Sequence, residues 1–441
     1  MKHKDAQAGG QTKELLPSHH PDPRTVAGKA RLHDRRPALL PVDIALEKGL
    51  AMARAVAETE RVDLEHATNR VLAQALIAQA PLPRFDYSAM DGYAVRSADL
   101  AGDMPLSLKV VGRIAAGDRG SDQVMPPEPA AVRILTGAPI PSGADAVVAQ
   151  EDVERWDDSI VLFRAPRPGE NIRPCGEDAR PGDVLLEAGT LLGPREIGVA
   201  ASAGRWELEV FRKVRVAVFS TGSELRRPGE TLFPGEIYES NRFMLRSLLE
   251  RPWIDLLDLG SCPDDPCALL ARMRSAAAQA DIVLSTGGVS VGDEDHMPAV
   301  IRRCGGRLVV LNVAIKPGKP LTLGHLGHVL YVGLPGNPAA VFTTFCVVVE
   351  DLLRALAGLG RRRSPVSPAV ADFDLTCRPG RHLYLPACRT GRTAEGVPVL
   401  RLLPNANSGK VVLLSKAEGF AVIDPRCEIV RPGDPVGWFP L

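Results

Sequence analysis

No stretch of the chain approaches the roughly 18 apolar residues that a membrane-crossing helix needs, and the polar N-terminus has no apolar core of the kind a secretory leader carries. A cytoplasmic protein with no membrane partner is expected. Neither charge is in surplus, since 53 basic residues meet 53 acidic ones. Nothing in that balance points to nucleic acid as the main partner. Close cysteine pairs are scarce: of eight cysteines only Cys262 and Cys267, in CPDDPC, stand near each other. Their spacing fits neither a zinc knuckle nor a redox CxxC, so reduced structural thiols are expected. No GxGxxG follows the first long apolar strand, which counts against a dinucleotide-dependent α/β enzyme.

What is present is modular. The 441 residues exceed one ordinary core and imply about two to four domains. Residues 1–38 mix His, Lys, Arg, Pro and Asp without periodicity and read as a disordered tail. From Pro41 to about Thr59, Leu46, Leu50, Ala53 and Ala57 recur at helical spacing. Short β-type runs fill residues 81–166, including LSLKVVGRI, AAVRIL and SIVLF. A loop-rich segment, 167–211, ends in a helix-like stretch and returns the chain to the first helix. Residues 39–80 and 167–211 then form one discontinuous linker domain, with a small β domain inserted in it.

At Lys213 the texture changes. VRVAVFS is a continuous apolar run, as expected of a strand buried on both faces of a parallel sheet. Strands DLLDLG, DIVLSTGG, RLVVLN and HVLYVGLPG alternate with helices as far as about Leu359, so residues 212–360 read as a doubly wound α/β domain. Residues 361–441 read as a small all-β domain. The fold class is α/β plus β, multidomain.

In an open parallel sheet, ligands bind beyond the carboxyl ends of the strands. The residues there are polar: Glu224 in TGSEL, Asp264 and Asp265, then Asp293, Glu294 and Asp295 in GDED, and Lys316 and Lys319 in KPGKP. Gly287 and Gly288 let backbone N–H groups approach an anion, and a phosphate fits such a loop. Carboxylates gathered at one rim repel one another unless a hard cation such as Mg²⁺ sits between them and a phosphate. Taken singly, each of these charges is more often a solvated loop residue than a ligand. Asp91 poses a separate question, because Asp91-Gly92 is flanked by extended segments and reads first as a hairpin turn.

The strings SAMDGYAV, RILTGAPIP, GADAVV, STGSEL, STGGVSVGDED, AIKPGKP and GLPGNP together resemble the molybdopterin molybdenumtransferases, the bacterial relatives of the gephyrin E domain. The resemblance runs from about Leu39 to Leu441 and is looser after Leu359. It implies an elongated homodimer in which residues 39–80 and 167–211 make the dimer contact and the α/β domain binds molybdopterin. It also implies Mg²⁺-dependent insertion of molybdate into adenylylated molybdopterin, with release of AMP. By the same resemblance Asp91 and Thr136 reach into the partner's cleft. Glu224, Asp264 or Asp265, and Asp295 hold Mg²⁺ or orient the phosphoanhydride, and Lys316 and Lys319 offset negative charge. Gly287, Gly288 and Ser290 form the pterin-phosphate loop and Asn337 the PGNP turn, while Arg381 and Ser408 are the candidates from the C-terminal domain. The enzyme that makes adenylylated molybdopterin and the recipient molybdoenzymes are the implied transient partners.

The chain departs from the family pattern at His296, where an aromatic residue is frequent, at Pro386, where a second arginine is common, and at Val412 and Leu413, where serines are frequent. The altered C-terminal domain and the N-terminal tail motivate one alternative, a cofactor-binding carrier or scaffold on the same fold; a second is a homologue preferring tungstate, which no sequence feature separates from one using molybdate.

Overall fold

The computed structural model describes residues 39–100, 102–118, 124–289, 296–360, 366–404 and 411–441. Of the residues singled out by sequence, Ser290, Asp293, Glu294, Asp295 and Ser408 lie outside the described residues, as does the tail expected over 1–38.

The alternating run after Lys213 forms a six-stranded sheet. Its strands are β1 (Val214–Thr221), β2 (Ile254–Cys262), β3 (Ile282–Thr286), β4 (Arg307–Leu311), β5 (Thr322–Leu326) and β6 (Val329–Leu334), in the spatial order β2-β1-β3-β6-β5-β4. The first four in that order are parallel, whereas β5 runs antiparallel to both neighbours. The helices are α1 (Asn241–Leu249), α2 (Pro266–Ala277), α3 (Met297–Arg303) and α4 (Pro338–Thr344), the last continued by a π turn and α5 (Glu350–Leu356). Side-chain alternation along β1 sorts them. Val216 and Val218 face one core with Leu245 of α1, Phe345 and Leu352. Ala217 and Phe219 face the other core, with Leu269 of α2 and Ile301 of α3. Apolar side chains covered on both faces are what a doubly wound sheet requires.

Two expectations change. Strand β5 gave no sequence signal, because TLGHL is short and interrupted by glycine and histidine; a Cβ on Gly324 would lie 2.4 Å from the Arg307 carbonyl oxygen, so the glycine permits the close approach of β4. The first helix spans Val42–Met52 and stops before Thr59, because Thr59–Asp63 pairs antiparallel with Glu207–Phe211. It buries Val42, Ala45 and Gly49 and packs into the α/β core beside Leu352. The helix Pro194–Ser202 joins a different cluster, through Ala200 with Leu72, Leu192 and Val210.

Between these, six strands form a second sheet in the order Ala146–Ala149, Gly92–Val95, Ala130–Ile134, Leu106–Ile114, Ser159–Leu162, Val153–Trp156. A third sheet closes on itself. Its members Ser367–Ala371, His382–Arg392, Pro398–Leu402, Gly419–Ile423 and Pro435–Pro440 each pair with two others, giving a five-stranded barrel without free edges. The two residues Ile315–Lys316 add to it, parallel to His382–Leu383. Tyr384, Phe420 and Phe439 fill its end, and Phe420 meets Phe342 of α4 with ring centroids 6.2 Å apart.

Candidate active site

Strands β2, β1, β3 and β6 all present their carboxyl ends to one crevice, since parallel strands end on the same side. It contains a cavity of about 420 Å³ lined by Thr221, Glu224, Glu239, Asn241, Asp264, Gly287, Gly288 and Asn337 among others. A second cavity of about 550 Å³ is lined by Lys316, Lys319, Asn337, Arg381 and Tyr384. The two share Pro320, Gly336 and Asn337 as a common wall. Carboxylates therefore gather on one side of that wall and cations on the other.

The carboxylate side is held by short contacts. Asp264 accepts hydrogen bonds from the Thr221 hydroxyl and from the Ser223 N–H, the latter at 3.1 Å. Its neighbour Asp265 is the N-cap of α2, accepting from the Ala268 N–H at 2.7 Å, and does not line the cavity. Glu224 is exposed at the rim. Glu224 and Asp264 offer hard oxygen ligands to one space, and Mg²⁺ is commonly held by one or two carboxylates plus substrate phosphates, so the donor set suits that ion. Among the described residues no group of three His, Cys, Asp or Glu surrounds a metal position.

The glycine loop is sterically necessary. Gly287 has φ +91°, and a Cβ there would lie 2.3 Å from the Thr221 carbonyl oxygen. Its N–H donates to the Leu334 carbonyl at 3.2 Å, so this amide is already engaged. The Gly288 N–H has no partner among the described residues. On the cationic side, Gly318 between the lysines has φ +118° and would place a Cβ 2.4 Å from Thr344 Cγ2. Burial pushes the Tyr384 phenol up to about 12, so it stays a neutral O–H at working pH.

Asp91-Gly92 is not the expected hairpin turn: Tyr87–Ser88 before it pairs with Ile172–Arg173, and Gly92 opens a strand held by two other neighbours. Register pairs Gly92 with Ile134, which brings Asp91 beside the residues that follow the neighbouring strand. Thr136 donates its backbone N–H at 2.8 Å and its hydroxyl at 2.7 Å to Asp91 Oδ1. Those two bonds, with the charge of Arg133, hold the Asp91 carboxyl below the usual carboxylate range. Because the folded-state value is depressed, the bonds favour the ionised form and are lost only as pH falls through that lowered value. Thr136→Ala keeps the N–H and removes the hydroxyl, so Asp91 is expected to titrate at higher pH than in the wild type, still below a free carboxyl; carbon-detected NMR of labelled aspartate checks this. Neither Asp91 nor Thr136 lines either cavity of its own chain.

Sequence reasoning passed over Glu239, Asn241 and Tyr384. The first two fall in YESN, a polar string that reads as a helix cap, and Tyr384 falls in a strand.

Residues 217–355 match the family described as a probable molybdopterin binding domain. Residues 40–204 match the MoeA N-terminal region, domains I and II, and 368–441 the MoeA C-terminal region, domain IV. Fold and site thus define a protein of the MoeA class. The molybdopterin molybdenumtransferase of Haemophilus influenzae is 40% identical over 345 residues, covering 78% of this chain and 84% of its own. That of Staphylococcus aureus (strain COL) is 36% identical over 380 residues, 86% of this chain and 88% of its own. The crystal structure of the molybdopterin biosynthesis MoeA protein from Pyrococcus horikoshii OT3 superposes with a TM-score of 0.78 at 29% identity, covering 91% of this chain and all of the other. The chain belongs to the molybdopterin molybdenumtransferase family. Among the described residues no helix is long and apolar enough to cross a membrane.

Proposed function

We propose that the protein inserts molybdate into adenylylated molybdopterin in a Mg²⁺-dependent reaction that releases AMP, as a cytoplasmic step of molybdenum cofactor biosynthesis. The observation that carries this reading is the pair of adjoining cavities, one acidic with a glycine loop and one cationic, meeting at Asn337. The substrate needs both environments, because it combines a phosphoanhydride with an incoming dianion.

In this reading Gly287 and Gly288 allow the pterin phosphate to approach the backbone, and Asn337 holds the turn between the cavities. Glu224 and Asp264 would hold Mg²⁺, with Asp295 a further candidate ligand. Bound there, the ion would polarise a phosphoryl oxygen and neutralise developing charge. Asp265, spent on its helix cap, has less to offer. Lys316, Lys319 and Arg381 draw the oxyanion and offset the charge left on the departing phosphate, and Tyr384 donates a neutral hydrogen bond. Ser290 and Ser408 remain candidates for the phosphate loop and the oxyanion site.

A second copy completes the site. Asp91, kept ionised by Thr136, lines neither of these two cavities in its own chain, and a partner's crevice would give it one to serve. The contact between copies would come from 39–80 and 167–211, where Ile77, Val184 and Trp206 are exposed; large apolar groups at the surface commonly mark such interfaces. The adenylyltransferase supplying the substrate and the receiving molybdoenzymes would dock transiently.

The test is incubation of the purified protein with adenylylated molybdopterin, Mg²⁺ and either molybdate or tungstate. AMP is expected to appear only when metal ion and oxyanion are both present. Pterin binding without any AMP would overturn the reading in favour of a carrier.

A further inference from the structure

Glu239 and Asn241, two residues apart at the start of α1, reach all four parallel strand ends in sheet order. Glu239 is 2% exposed. Its carboxylate accepts from the Ser261 hydroxyl of β2 at 2.9 Å and from the Ser220 hydroxyl of β1, and Arg242 pairs with it at 2.9 Å. Asn241 donates from Nδ2 to Thr286 Oγ1 of β3 at 3.0 Å and to the Gly336 carbonyl, just past β6, at 2.6 Å. Thr286 passes the bond on to the Pro335 carbonyl at 2.9 Å. Among the described residues the Asn241 Oδ1 is buried without a partner, so there the amide orientation is set by what Nδ2 binds.

The halves differ in what they carry. Strands β1 and β2, tied by Glu239, lead into Glu224 and Asp264. Strands β3 and β6, tied by Asn241, lead into the Gly287-Gly288 loop and the Asn337 turn. The segment is also bonded to the metal side through its backbone, since Ile237 N–H donates to the Glu224 carbonyl at 3.0 Å and Glu239 N–H to that of Arg226 at 2.8 Å.

Resting on the function proposed above, we infer that Glu239 and Asn241 are positioning residues that divide this crevice between them. Glu239 sets the spacing of the two metal-holding carboxylates, and Asn241 sets the spacing of the two loops that hold the pterin phosphate. Neither touches the reacting atoms.

Two variants and two readouts separate the halves. In the free protein, hydrogen exchange is expected to accelerate at residues 220–224 and 261–264 in Glu239→Gln, and at 286–289 and 335–338 in Asn241→Ala, each leaving the other half as in the wild type. With ligands, Glu239→Gln is expected to raise the half-saturating Mg²⁺ concentration roughly tenfold with little change in pterin affinity measured without metal. Asn241→Ala is expected to weaken that pterin affinity roughly tenfold with little change in Mg²⁺ demand, effects of the size usual for groups that orient ligands from behind. Ser261→Ala removes one arm of the Glu239 tie without disturbing a buried charge, and should give a smaller change on the Mg²⁺ side alone. If Glu239→Gln does not fold, Ser261→Ala decides the point. Variants that affect both halves alike, or neither, overturn the inference. Wild-type protein that binds no adenylylated molybdopterin overturns the functional reading instead, and the exchange pattern still decides whether the tie is divided.

Discussion

Asp264→Ala is expected to lower Mg²⁺-dependent AMP release roughly a hundredfold or more, since a metal ion polarising a phosphoryl oxygen is worth several kcal/mol of transition-state stabilisation. The Thr221 hydroxyl and the Ser223 N–H fix that carboxylate in the cavity wall, whereas its neighbour Asp265 faces its helix cap. Asp265→Ala is the internal control. It removes the Ala268 N–H cap, costs about 1 kcal/mol of stability, and should leave turnover near the wild-type level. Steady-state AMP release across a Mg²⁺ titration, with melting curves for both variants, measures the contrast. Equal losses in the two would remove Asp264 from the metal site.

The second large effect tests the shared site. Asp91→Ala and Lys316→Ala should each lower turnover at least about a hundredfold, a scale typical of a positioned ionised group at a reacting centre. Mixed after subunit exchange, the two inactive variants should recover about a quarter of wild-type activity, because half of the dimers are then mixed and each of these has one intact cleft. Mixing that restores nothing, while native mass spectrometry shows the mixed dimer, would place Asp91 and Lys316 in the same chain's site or Asp91 in none.

The readable parts of this fold are those where one local rule sufficed. VRVAVFS announced a strand buried on both faces, and β1 is almost wholly buried. Asn337-Pro338 announced a helix start, and α4 begins there. Strand β5 escaped because it exists through its neighbours: Gly324 is a poor strand residue alone and a needed one against Arg307. The first helix was read too long for the same reason in reverse, since Thr59–Asp63 is drawn off by Glu207–Phe211, far along the chain. Around the crevice, sequence singled out charged residues in loops after strands, and the cavities do gather Glu224, Asp264, Lys316 and Lys319, joined by Arg381, which only the family resemblance suggested. It could not tell Asp264 from Asp265, because capping a helix and facing a cavity are settled by geometry one residue apart. Nor did it find Glu239 and Asn241, whose partners lie at four strand ends spread between Ser220 and Gly336.

The barrel gives the cationic cavity a dependence that the acidic one lacks. Lys316 belongs by chain order to the α/β region, yet its two-residue strand pairs with His382–Leu383, and Arg381 and Tyr384 beside it come from the same stretch. A gene truncated ahead of Ser367 would therefore encode a chain that keeps Lys316 and Lys319 but loses Arg381, Tyr384 and the strand that holds Lys316 in line.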